Sequence, residues 1–129
     1  MTAPAWKPDT LAALANALEV DVTPFAADGS RRPSRTIWSI RVGDELYVRS
    51  WKGRPAVWFQ DALATHEGEI AVTGGGASQR VTFEEVDAAA PVQRQISATF
   101  LTKYAADTYA SSMNEQGPLD STLRLIPRS

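Results

Sequence analysis

The sequence predicts an α+β fold, a small antiparallel barrel of about six strands with about three helices packed outside it. Two patterns carry that expectation. Short stretches of alternating apolar and polar residues follow one another across glycine-containing turns, the signature of hairpins. Helical stretches are inserted between these hairpins rather than after every strand, which argues against a doubly wound parallel sheet. A chain of 129 residues suits a single domain spanning 1–129 that buries roughly two-thirds of its unfolded surface.

In chain order, the first element is a helix. Pro8-Asp9 or Thr10 opens it, and Leu11, Leu14 and Leu18 recur at helical spacing. Val20 and Val22 then alternate with polar neighbours in a short strand that Pro24 cuts off. Residues 26–34, AADGSRRPS, are a polar turn region. The strongest strand signal follows in RTIWSIRVGDELYVRS, Arg35 to Ser50. There Thr36, Trp38, Ile40 and Val42 face one way, which makes Trp38 a core residue, while Arg35, Ile37, Ser39 and Arg41 face the other. Gly43-Asp44 fits a two-residue hairpin turn, and Leu46 and Val48 resume the alternation.

Past the corner Gly53–Pro55, the residues Trp58, Phe59, Ala62 and Leu63 share one side of a short helix. His66 near its end reads as a capping or exposed residue. Glu69–Thr73 and Gln79–Val86 form a second hairpin around Gly74-Gly75-Gly76. That glycine run lacks the Lys-Ser ending and the following helix of a phosphate loop, so it is a turn. Pro91 suits the first turn of a helix carrying Val92, Ile96 and Phe100. A further helical piece with Tyr104, Tyr109 and Met113 runs up to Gly117-Pro118, and Thr122–Ile126 is a last strand.

Composition narrows the chemistry. A net charge of -2 gives no electrostatic reason to expect a nucleic acid as partner. The absence of cysteine excludes disulfides and thiolate chemistry, and one histidine excludes a multi-histidine metal site. The residues at the start lack the apolar core of a signal peptide, and no apolar run approaches a membrane span, so a cytoplasmic protein is expected.

Cations and large rings crowd into SWKGRPAVWFQDAL, Ser50 to Leu63. Lys52 and Arg54 would supply donors to a phosphate or carboxylate, and Gly53 can adopt positive φ or let a ligand approach the backbone. Trp51 and Trp58 either stack on a flat ring or fill the core. The alternative is a solvated basic turn beside two structural tryptophans. Arg35 and Arg41 would add to the cation count if their strand face lines a groove.

These stretches, with the strand pair EIAV and QRVTFEEV and the ending STLRLIPR, carry a resemblance. From about Arg35 to Arg128 the chain resembles the split β-barrel superfamily of flavin- and deazaflavin-dependent oxidoreductases. It resembles in particular the deazaflavin-dependent nitroreductase-like branch, and looks most similar to an uncharacterised bacterial branch. Ser50, Lys52 and Gly53 match that branch's Ser-Lys-Gly turn with one extra residue, Trp51, and Phe59 stands where the branch has tyrosine. The resemblance implies a split barrel, a homodimer, and a deazaflavin coenzyme or FMN reducing a small organic substrate. It implies Lys52, Gly53 and Arg54 at the cofactor phosphate, with Ser50 and Arg41 as secondary contacts. Trp58 would be a neighbour of the ring or a structural wedge. Such an enzyme asks little acid–base chemistry of the protein, and no catalytic residue is named. The alternatives are a split barrel that binds a small anion without catalysis, or an interaction module that uses Trp38 and Trp51 at an interface.

Overall fold

In a computed structural model, which describes residues 5–128, the stretch from Arg35 to Val42 makes two strands rather than one. Strand β2 (Arg35–Ile37) and strand β3 (Ser39–Val42) are separated by Trp38 alone. Yet they lie at opposite edges of one seven-stranded sheet. Its other strands are β1 (Val20–Pro24), β4 (Glu45–Arg49), β5 (Glu67–Val72), β6 (Ser78–Glu85) and β7 (Thr122–Pro127). The order is β2-β1-β5-β6-β7-β4-β3, antiparallel throughout. Two edges joined by one residue force the sheet to curl into a nearly closed barrel, split at Trp38. The expected six strands become seven because the chain changes edge there.

Side chains from a helix stitch the split. At the end of α3 (Val92–Lys103), the Tyr104 hydroxyl accepts from the Ser39 amide at 3.2 Å and donates to Leu18 O at 2.8 Å. The Lys103 ammonium donates to Ser39 O at 2.6 Å. Ser39 thus finds partners for its backbone polar groups where the strand changes neighbours, as burial demands. Burial lowers the Lys103 ammonium to about 8 and raises the Tyr104 phenol.

Alternation sorts the side chains into two apolar clusters. Leu46, Val48, Ile70, Phe83, Leu123 and Leu125 point into the barrel. They meet Leu11 and Leu14 of α1 (Pro8–Asn16) and Phe59 and Ala62 of α2 (Val57–Thr65). Each such large side chain stabilises the fold by roughly 1.5–3 kcal/mol on full burial. Ile40 and Tyr47 point outward and are covered by Ile96 and Phe100 of α3. Trp38, expected in the core, is only partly buried: it packs against the rim of this outer cluster, stacked on Tyr104 with centroids 4.0 Å apart and 5° between planes, and also lines surface hollows.

Two helical expectations shorten. The first helix ends at Asn16, leaving Leu18 65% exposed. The piece from Tyr104 to Met113 is a run of turns closed by a short 3-10 helix, Ala110–Asn114, before the four-residue α4 (Gln116–Leu119). His66 caps α2 in the left-handed conformation at φ 60, with Nδ1 2.8 Å from Phe83 O. The glycine run joins β5 to β6 with all three φ values positive. Among the described residues no helix is long and apolar enough to cross a membrane.

Candidate functional site

The site is built where β4 leaves the sheet. The Ser50 amide donates to Ser121 O at 3.2 Å, and the Gly53 amide closes a turn onto Ser50 O at 2.9 Å. Gly53, at φ 77, is buried with its backbone against Gly117. A side chain there would be strained, so this glycine seats the corner on the segment holding α4. The chain then enters α2 at Val57. Between this corner and β2 lies a groove of about 430 Å³, lined by Arg35, Thr36 and Ile37 on one side and by Ser50 to Lys52 and Pro55 to Trp58 on the other. That volume falls in the small-molecule range of roughly 300–1,000 Å³.

On the other side of Trp51 is a second hollow of about 420 Å³, which shares Thr36, Ile37 and Trp51 with the first and adds Trp38, Arg49, Tyr109 and Met113. Trp51 is 56% exposed and meets Tyr109 edge-on, with centroids 6.1 Å apart. The two hollows adjoin at Thr36, Ile37 and Trp51.

The electrostatics of this surface are one-sided. Arg35, Lys52 and Arg49 line it, and no Asp or Glu does. Among the described residues neither Arg35 nor Lys52 forms an ion pair. Arg49 is buried beneath the second hollow, 1% exposed, and bonds only neutral acceptors: Thr122 Oγ1, Met113 O, Asn114 Oδ1 and Gln93 Oε1, at 2.7–3.0 Å. Burial lowers it to about 10, so it stays charged at neutral pH. Ser50 is among the residues around the first hollow, and its Oγ is fully buried with no protein partner. An unpaired buried hydroxyl costs about 1–3 kcal/mol, which a ligand acceptor would offset.

Of the residues the sequence singled out, Ser50, Lys52 and Trp58 come together in the groove, and Gly53 supports it from behind. Trp58 is 6% exposed, a core residue that also lines the groove. Arg54 turns away, bound to Glu85 at 2.7 Å and to Asp120 O at 2.9 Å, with its guanidinium over Phe59. Arg41 lies at the tip of the β3–β4 hairpin, holding Gly43 O and Asp44. That tip is the end of β4 remote from Ser50. Arg35 replaces both at the groove. Its alternation with Ile37 marked the strand face, but the change of edge that brings it to the corner has no local signature. No cluster of three metal-ligating side chains exists among the described residues.

Residues 10–125 match the family described as "Uncharacterized protein conserved in bacteria (DUF2255)". No curated protein is significantly similar in sequence. Among solved structures, the heme storage protein HutZ from Vibrio cholerae superposes with a TM-score of 0.70 at 11% identity, over 95% of this chain and 90% of that one. An F420 reductase superposes with a TM-score of 0.64 at 11% identity, over 92% of each chain. An FAD-binding protein from Mesorhizobium loti gives 0.60 at 14% identity, over 100% of this chain and 95% of that one. At such identities the likeness establishes the fold, and the split β-barrel that the sequence resembles is the architecture observed.

Proposed function

The chain belongs to the DUF2255 family and folds as a split β-barrel, and from that premise we propose that it binds a flavin-type cofactor, FMN or a deazaflavin coenzyme, and with it reduces a small organic substrate. The observation that carries this reading is the acid-free groove, lined by two unpaired cations on facing banks, two tryptophans and a residue with a buried, unpartnered hydroxyl. Lys52 and Arg35 would hold the phosphate as point charge and fork, and Ser50 Oγ would donate to one of its oxygens. Ile37, Trp51 and Trp58 would bound the ring and keep water from it. The cofactor supplies hydride transfer, and the protein supplies binding, orientation and field. No proton donor is assigned.

His66 is committed to capping α2 and lines neither hollow, so a heme iron would find no imidazole there. The resemblance implies a homodimer, and Val57, 64% exposed at the rim of the first hollow, supports one. Sedimentation tests that part, and a mass of one chain at every concentration rules it out.

The decisive experiment is a titration of the purified protein with FMN and with the deazaflavin coenzyme, followed by cofactor fluorescence. Saturable uptake of one supports the reading. Uptake of neither leaves the rival, a split barrel that binds a small anion without redox chemistry.

A further inference from the structure

Resting on the reading of the groove as a cofactor site, we propose that the hollow beyond Trp51 is an acceptor subsite for a small flat carboxylate, a ring acid of the benzoate type. Its walls set the shape. Trp38, Trp51 and Tyr109 offer ring faces and edges, and Ile37 and Met113 fill the remainder with aliphatic and thioether surface. Trp51 and Tyr109 are 56% and 61% exposed, large aromatic surfaces held out in water beside a hollow of ligand size.

The charge beneath selects the ligand's sign. Four donations from Arg49 go to neutral oxygens and its guanidinium lies over the Phe100 ring, so its hydrogen bonds are largely met while no carboxylate cancels its charge. A buried guanidinium with no carboxylate partner projects a positive field into the space above it, and low local dielectric strengthens that field. No acidic side chain lines the hollow to oppose it. Arg49 therefore acts as a fixed charge rather than a hydrogen-bonding clamp. It favours an anion over its neutral isostere without choosing a bond geometry, and the rings choose flatness.

Two ligands of nearly equal shape read this directly in the unmodified protein. Benzoate and benzamide are titrated separately, with tryptophan fluorescence and amide chemical shifts as readouts. Benzoate is expected to bind about tenfold more tightly than benzamide, and Tyr109→Ala, an exposed position, is expected to weaken both by about fivefold. Equal affinity, no saturation by either ligand, or benzoate binding that Tyr109→Ala leaves intact overturns the subsite. Flavin uptake without discrimination between the two probes overturns the subsite alone. Discrimination in a protein that takes up neither cofactor overturns the reductase and leaves a carboxylate-binding hollow.

Discussion

Around Phe25, Arg31 forks onto both oxygens of Glu69 at 3.1–3.2 Å, Arg128 meets Glu67, Arg32 reaches Asp61, and the guanidiniums of Arg31 and Arg80 lie over the Phe25 ring. In the groove, Arg35 and Lys52 meet no carboxylate. Both regions combine cations with aromatic rings. In the first, Arg31, Arg32 and Arg128 are paired with the chain's own carboxylates and Arg80 lies over a ring; in the second, Arg35 and Lys52 have no such carboxylate. A cation beside a ring is therefore no sign of a site until its partner is known.

The comparison breaks most visibly at the cation that is neither paired nor open. Replacing Arg49 with Leu strands acceptors on Thr122, Met113, Asn114 and Gln93, and should cost about 3–5 kcal/mol in urea unfolding. A loss under about 1 kcal/mol would mean that Arg49 does not hold the Ala110–Asn114 helix to the barrel. Next come the open cations. Lys52→Ala and Arg35→Ala should each weaken cofactor binding by about tenfold to a hundredfold, while the melting temperature stays put. Affinity unchanged in both would return the groove to an ordinary basic surface. The paired cations should show the opposite. Arg54→Ala and Arg31→Ala should cost at most about 1 kcal/mol of stability and leave affinity untouched.

The smallest effect is a slope in pH. Lys103 titrates at about 8 in the folded protein against an ordinary 10.5. Between those values the unfolded chain holds a proton that the folded chain has released, so stability rises as pH climbs from about 8 towards 10. Lys103→Met should flatten that rise. Comparing urea midpoints at about pH 8 and pH 9.5 for both proteins checks the sign, and a wild-type midpoint that falls over this window contradicts it.

What the sequence made legible was local. The Gly43-Asp44 turn fixes its hairpin through two residues, and the apolar face of α2 repeats within one helix. The seventh strand was not legible. Nothing at Trp38 announces that Ser39 will take its hydrogen bonds from Lys103 and Tyr104, more than sixty residues away. The same limit shaped the site. Ser50, Lys52 and Trp58 are neighbours in sequence and were found together. Arg54 looked equivalent to Lys52 until Glu85, 31 positions on, claimed it. Arg35 reaches the corner only through the curl of the barrel.

One consequence of the strand order concerns the sequence of events during synthesis. Among the described residues the β3–β4 hairpin is joined to the rest of the sheet only through β7, the C-terminal strand of the seven. Until residues 122–127 leave the ribosome, the sheet exists as two fragments, β2-β1-β5-β6 and β4-β3, with no ladder between them. Until then the corner and β2, the two banks of the groove, are linked through Trp38 and the contacts of Ser39 with Leu14, Lys103 and Tyr104, without a ladder between the two fragments. The sheet around the groove is therefore completed by the pairing of Leu46, Tyr47, Val48 and Arg49 with Leu125, Arg124, Leu123 and Thr122. Long-range closure of this kind folds slowly and leaves sheet edges open in the meantime. A nascent chain stalled before Thr122 should be cut readily by protease at the corner Ser50–Pro55 and become resistant once β7 is complete.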